Sequence, residues 1–257
     1  MNKKYSILIP AYNECGGVGH VLEELLMLTK QGSFEIIVID DCSIDGTAAE
    51  VQKYPVRLLP NIQNFGYGYS LKRGIRESVY ENILILDADG SYPVSAIPKL
   101  IDEYEKGFDM VVGIREGKYY QGTYMKRIAR FMFRSMSEFT TGRKIPDINS
   151  GMRVFRKDLA LTFFHTLSSG FSFTTTITLA FMLNAHSVRY IPIEYFKRKG
   201  SSKVRYFRDT LRATQIIVES ITAYNPIKIY LLCAIGIILV GFVSAVIAAF
   251  SATLALL

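Results

Sequence analysis

Runs of aliphatic residues recur along the chain at YSILIPAY (5–12), EIIVIDD (35–41), VRLLP (56–60), NILILDAD (82–89) and DMVVGIR (109–115), with helical-looking segments between them. Uninterrupted apolar strands suit a sheet covered on both faces, so the pattern predicts a mostly parallel sheet with helices as crossovers. Three of these runs end in polar side chains. In an open α/β sheet the ligand sits beyond the carboxyl ends of the strands, which predicts that Tyr12, Glu14, Asp40, Asp41, Asp87 and Asp89 share one crevice.

After Arg115 the pattern changes. In 124–139, Met125, Ile128, Met132, Met136 and Phe139 recur at helical spacing, with Lys126, Arg127, Arg130 and Arg134 elsewhere around the wheel. Such a basic amphipathic helix either covers the sheet or lies in a membrane interface, since both placements need the same segregation of faces. A helix is expected over 173–185 despite four threonines, then a strand over 188–196, then a second amphipathic segment over 204–224 that stops at Asn225-Pro226.

From Ile229 to Leu257 there is no Asp, Glu, Lys, Arg or His. About 20 apolar residues are enough to cross the hydrocarbon layer, so one transmembrane helix is expected, a buried soluble helix being the alternative. The expected division is a catalytic domain over 1–203, a juxtamembrane amphipathic helix over 204–226 and a membrane segment over 227–257. The net charge is +7, and the basic residues gather in KRKGSSKVRYFRDTLR (197–212) just before the apolar tail, which predicts a cytoplasmic N-terminal domain. No nucleic-acid motif accompanies them. The N-terminal MNKKYSILIPAYNE reads directly into a strand without a separate apolar leader, and Cys15, Cys42 and Cys233 can neither all pair nor match a metal spacing, which fits a reducing compartment.

Asp87 and Asp89 stand two positions apart, and on a strand alternate side chains share a face. Paired hard oxygen ligands suit Mg²⁺ or Mn²⁺, completed by water and substrate phosphates. Acidic residues also end strands merely to solvate a turn, and Asp45, Thr47 and Asp158 read as turn or cap residues. His165 and His186 have no partner that points to catalysis. NECGGVGH lacks the Gly-x-Gly-x-x-Gly spacing of a dinucleotide-binding turn.

Taken together, PAYNE (10–14), DDCSIDGT (40–47), DADG (87–90) and NSGMRVFRKD (149–158) resemble the family 2 inverting glycosyltransferases of GT-A fold, over about residues 5–205. Within that family the order of motifs and the basic loop look most like the polyprenyl-phosphate sugar transferases, such as dolichol-phosphate mannosyltransferase. The resemblance implies a Rossmann-like, mostly parallel α/β sheet with helices on both faces, to which the amphipathic segments and the apolar tail add interface helices and a membrane anchor. It further implies that Pro10, Tyr12, Glu14, Ile39 and Asp41 hold the nucleoside, and that Asp87, Ala88 and Asp89 hold ribose, diphosphate and metal, with Asp89 the direct ligand. Ser91 stands where relatives often carry Gln, as a shorter candidate ligand, and Tyr92 where His is common. Arg115 matches a phosphate-contacting arginine.

Lys199 and Lys203 lie in KRKGSSK, where Gly200, Ser201 and Ser202 break what could be a helix. The loop can close over phosphate groups, or its charges can simply face anionic lipid. Arg127, Arg130 and Arg198 are candidates for the acceptor phosphate. Arg153 either joins them or supports a strand.

From Leu159 to Ile193 there is no Asp or Glu, where family analogy would place a base-bearing helix. A hydroxyl acceptor needs a general base within hydrogen-bond reach. A phosphate monoester, with a second pKa near ~6, arrives already ionised. The expected function is therefore a metal-dependent hexosyltransferase that moves a hexose from a UDP- or GDP-sugar to a polyprenyl phosphate with inversion at the cytoplasmic membrane face, unless Asp147 or Asp158 folds back as a base. Non-processive transfer to a saccharide or protein hydroxyl is the alternative, and the absence of tryptophan disfavours a processive synthase with its Gln-x-x-Arg-Trp motif. A non-catalytic nucleotide-sugar-binding membrane protein is the other. Donor base, hexose and homo-oligomerisation stay open.

Overall fold

The structure, a computed structural model, describes residues 4–29, 34–117, 119, 124–198, 215, 218–219, 221–222 and 226–255. The chain divides into two compact units, 1–213 and 214–257.

The first unit is built on a seven-stranded sheet in the order β3-β2-β1-β4-β6-β5-β7. Its strands are β1 (Tyr5–Ala11), β2 (Phe34–Asp40), β3 (Arg57–Pro60), β4 (Asn82–Ile85), β5 (Met110–Glu116), β6 (Arg153–Arg156) and β7 (Val188–Glu194). β1 pairs in parallel with β2 and β4, β2 with β3, and β5 with β7, whereas β6 runs antiparallel between β4 and β5. The helices are α1 (Cys15–Leu28), α2 (Thr47–Val51), α3 (Tyr67–Glu77), α4 (Ile97–Tyr104), α5 (Tyr124–Thr141), α6 (Lys157–Thr162) and α7 (Phe173–Leu183).

Each central strand is apolar on both sides, and the alternation of side chains divides the core in two. Tyr5, Ile7 and Ile9 of β1 join Leu84 of β4 and Val18, Leu22 and Leu25 of α1 on one face. Leu8, Ile37, Ile39, Ile83 and Ile85 join Leu71 and Ile75 of α3 and Phe173, Ile177 and Phe181 of α7 on the other. α3 sits close to the sheet because Gly74 has no side chain: a Cβ there would stand 2.9 Å from Ile39 Cδ1.

Several expectations are corrected. β4 ends at Ile85, four residues before the expected limit, so Asp87 and Asp89 lie in the turn that follows it and not on a strand face. β6, too short to announce itself among the apolar runs, completes the sheet. Among the described side chains of α5, Phe133, Ser137 and Thr140 are buried, whereas Met132 and Phe139 of the expected apolar face are exposed. α7 ends at Leu183, and its threonines are compatible with a helix because hydroxyls turn back onto helical carbonyls, Thr178 Oγ1 donating to Thr174 O at 2.8 Å and Thr176 Oγ1 to Phe173 O at 3.0 Å.

The second unit contains α8 (Pro226–Ala255), 30 residues long, a length of about 45 Å at ~1.5 Å per residue. Its described side chains are exposed, and they are described without a break only over 233–248. Among the described residues no helix is long and apolar enough to cross a membrane. Most of the amphipathic segment expected over 204–224 lies outside the described residues.

Candidate functional site

The carboxyl ends of β1, β2 and β4 open into a cleft of about 470 Å³ lined by Pro10, Ala11, Tyr12, Glu14, Asp41, Asn64, Gly66, Tyr67, Ser70, Asp87, Ala88, Asp89, Phe171 and Arg198. It lies there because the three strands run the same way and their chain exits share one edge. Pro10, Tyr12, Glu14, Asp41, Asp87, Ala88, Asp89 and Arg198 line it together, whereas Asp40, expected in the same crevice, is outside the lining, its carboxylate accepting from Ser43 N.

Asp41 is spoken for within the protein. Its Oδ1 accepts from Asn61 Nδ2 at 2.7 Å and Phe65 N at 3.0 Å, and its Oδ2 accepts from Gly66 N at 2.8 Å, so this carboxylate shapes the 61–66 loop that walls the cleft. Asp89 is fixed by Ser91, whose N–H and hydroxyl both donate to Oδ1, at 2.9 and 2.6 Å. Ser91 is fully buried and outside the lining, so its hydroxyl acts as a support for Asp89. The other carboxylate oxygen of Asp89 lies 3.2 Å from Arg198 Nε, and the same guanidinium pairs with Glu14. Burial acts to lower the Arg198 guanidinium, yet the charges of Asp89 and Glu14 hold it above its usual value.

Asp87 accepts a hydrogen bond from the Tyr67 hydroxyl at 3.1 Å. Burial, and next the neighbouring Asp89 charge, push its carboxyl up to about 7. Tyr67 stacks on Phe171 with centroids 6.0 Å apart and an interplanar angle of 11°. Burial and the Asp87 charge raise the Tyr67 phenol well above its ordinary value, so it is a hydrogen-bond donor at neutral pH.

Several side chains expected at the site lie outside the cleft lining. Ile39 faces the α3 side of the sheet and is completely buried. Arg153 is also completely buried, its Nη1 donating to Thr174 O and Thr178 Oγ1, both at 3.0 Å, and burial lowers its guanidinium. Of its two readings, support of the strand matches this placement and contact with an acceptor does not. Arg115 is gripped by Asp147 through two bonds of 2.8 Å and lies outside the cleft lining. Arg127 and Arg130 sit on α5 and are not among the lining residues. Lys199 and Lys203 lie outside the described residues.

The residues that pattern reading passed over are Tyr67, Asn64, Phe171 and Gly151. The signal for the first two was present in NFGYG (64–68), glycine-spaced beside an aromatic at a helix start.

The donor set of the cleft suits a hard divalent cation. Asp87 and Asp89 offer oxygen ligands, and a fixed cation already lies against Asp89. Among the described residues no group of three or more His, Cys, Asp or Glu converges, so the protein supplies part of a coordination sphere and leaves the rest to water or phosphate oxygens.

Residues 6–164 match the sequence profile of glycosyl transferase family 2. The chain is 26% identical over 203 residues to the dolichyl-phosphate hexose transferase of Haloferax volcanii, covering 79% of this chain and 87% of the relative. It is 25% identical over 255 residues to the undecaprenyl-phosphate 4-deoxy-4-formamido-L-arabinose transferase of Pectobacterium carotovorum, covering 95% and 75%. In fold it is similar to the glucosyl-3-phosphoglycerate synthase of Mycobacterium tuberculosis crystallised with Mg²⁺ and UDP, with a TM-score of 0.71 at 15% identity over 85% of this chain and 79% of that one. The mannosyl-3-phosphoglycerate synthase of Rubrobacter xylanophilus gives 0.66 at 17% identity over 86% and 73%.

Proposed function

The chain belongs to glycosyl transferase family 2, and from that premise we propose that it moves a hexose from a UDP- or GDP-sugar to a polyprenyl phosphate, with inversion, at the cytoplasmic face of a membrane. The acceptor's phosphate oxygen forms the new bond to the anomeric carbon while the bond to the nucleoside diphosphate breaks. Pro10, Tyr12, Glu14 and Asp41 wall the nucleoside; Asp87, Ala88 and Asp89 face ribose and diphosphate.

Asp87 and Asp89 would hold Mg²⁺ or Mn²⁺, which when bound neutralises the charge that grows on the leaving diphosphate. Arg198, with Lys199 and Lys203 beside it in sequence, supplies fixed positive charge on the same side.

The observation that carries the reading is that the two carboxylates that could have served a hydroxyl acceptor as base are committed elsewhere. Asp147 is bound by Arg115. Asp158 is held by Arg156 near Asn82, at the amino end of β4 and so at the opposite pole of the sheet. α7, which follows the cleft residue Phe171, carries no acid. An acceptor that arrives already ionised fits such a site. The relatives named as dolichyl- and undecaprenyl-phosphate transferases support the same acceptor class.

α8 is proposed as the membrane anchor. From Ile229 to Leu257 the sequence contains no ionisable side chain other than Tyr230 and Cys233, and these 29 residues exceed the about 20 a span needs, although among the described residues no helix meets that requirement. The basic residues before it orient the first unit to the cytoplasm.

The test supplies radiolabelled UDP- and GDP-sugars with undecaprenyl or dolichyl phosphate, with and without Mg²⁺ or Mn²⁺. Label is expected in an organic-extractable phospholipid only with cation present, and Asp89→Ala is expected to abolish it with the fold retained by circular dichroism. Label appearing instead in a water-soluble saccharide or in protein sinks the acceptor assignment; full turnover in Asp89→Ala sinks the cation site.

A further inference from the structure

Asp87 is held from two sides by residues that belong to neither acidic motif. On one side the Tyr67 hydroxyl donates to Oδ1 at 3.1 Å, and among the described residues this is the hydrogen bond that the carboxylate receives. On the other side the chain passes so close at Gly151 that a Cβ placed there would stand 2.9 Å from Oδ1, 2.8 Å from Oδ2 and 3.0 Å from the carboxyl carbon. Both supports are themselves fixed. Tyr67 is the first residue of α3 and stacks on Phe171. Gly151 donates its N–H to the Tyr92 hydroxyl at 2.7 Å. Asp87 thus lies in a slot with one directional donor and one wall that only a missing side chain leaves open.

We infer that Tyr67 and Gly151 are positioning residues whose joint task is to aim the Asp87 carboxylate, and that the affinity of the cleft for a divalent cation depends on them. This rests on the proposed reading in which Asp87 and Asp89 share that cation. Two acids side by side repel one another, and a buried carboxylate with nothing to fix its direction rotates away or takes up a proton. A hydrogen-bond donor behind a ligating carboxylate removes that freedom, and loss of such a partner typically lowers metal affinity by about 10–100-fold.

The two sides can be broken independently. Tyr67→Phe keeps the ring and its stack on Phe171 and removes only the O–H. Gly151→Ala adds one methyl group at a position whose backbone is not left-handed, so the flexible Asp87 side chain is what must shift.

Mn²⁺ binding to the full chain in detergent is measured from the free-ion electron paramagnetic resonance signal, and UDP and GDP binding is measured in EDTA. Tyr67→Phe is expected to weaken Mn²⁺ binding about tenfold, Gly151→Ala at least as much, with cation-free nucleotide affinity unchanged in both. Wild-type Mn²⁺ affinity in Tyr67→Phe overturns the inference. So does an equal loss of nucleotide affinity in EDTA, which would mean general damage to the cleft. Asp89→Ala is run in parallel. If it binds Mn²⁺ like wild type, the cation site and the functional reading fall, and the slot's role with them; if it loses Mn²⁺ while both slot variants keep it, only the inference about the slot falls.

Discussion

Arg198 Nε lies 3.2 Å from Oδ2 of Asp89, so a guanidinium that also pairs with Glu14 already faces the carboxylate proposed to bind a cation. Two cations cannot share that oxygen without repulsion, and in a partly buried site the repulsion is little screened. Arg198→Gln is therefore expected to bind Mn²⁺ severalfold more tightly than wild type in the absence of nucleotide. The free-ion signal checks it, and unchanged or weaker binding would mean that the two positive charges do not compete.

The Arg115–Asp147 pair makes a sharper distinction between support and chemistry. Asp147 is 2% exposed and Arg115 15%, with two bonds of 2.8 Å between them. Removing one member of a buried pair leaves the other uncompensated, at about 3–5 kcal/mol. Asp147→Ala is expected near the lower end, about 3 kcal/mol, because Arg115 keeps some access to water. In urea unfolding, Arg115→Ala, Asp147→Ala and the double variant should show the double losing less than the sum of the singles. If Arg115→Ala abolished transfer with wild-type stability, its role would be contact with substrate.

Arg153 is expected to act on stability alone. It is wholly buried among Ser150 O, Thr174 O and Thr178 Oγ1. Arg153→Met removes the donor to Ser150 O, at about 1–3 kcal/mol when that carbonyl is left unsatisfied, whereas Thr174 O keeps the Thr178 hydroxyl. Unfolding should shift to lower urea concentration while the acceptor KM of the folded fraction stays at the wild-type value. A raised KM with unchanged stability would restore Arg153 to the acceptor site.

Asp87 gives the cation-free protein a pH dependence of definite sign. Its folded pKa, raised by burial and by Asp89 from 3.8 to about 7, exceeds the unfolded value, so the native state binds the extra proton. Stability from this group is fully present below pH 3.8 and is lost as pH rises towards about 7. In EDTA, Asp87→Asn should unfold at higher urea than wild type at pH 8 and differ least at pH 4. A difference that grew towards low pH would reverse the sign and remove the assignment.

Much of the site was legible because it follows from local pattern. The aliphatic runs of β1, β2, β4 and β5 are apolar on both faces, and such strands must be covered on both sides. Parallel strands then send Tyr12, Glu14, Asp41, Asp87 and Asp89 out of one edge whatever the loops do. The features that escaped are those set by partners distant in sequence. Phe171 meets Tyr67, and Gly151 meets Asp87, only after β6 has inserted antiparallel between β4 and β5. A four-residue strand carries too little periodicity to be seen alone.

Ile39 and Asp41 illustrate the same division at close range. The resemblance places these two, only two residues apart, in one nucleoside wall, yet β2 ends at Asp40, so Ile39 stays in the α3 core while Asp41 turns into the cleft. The resemblance assigns Arg115 to phosphate and leaves Arg153 open between acceptor and strand support, and each finds partners inside the protein. By itself the sequence determined the class of sheet, the edge at which the acids gather and the family, because side-chain periodicity and short motifs are local properties. Which basic residues remain free for a substrate was decided by the tertiary structure, because a charge is satisfied by whatever the strand order and register bring within about 3 Å, and no local pattern records that.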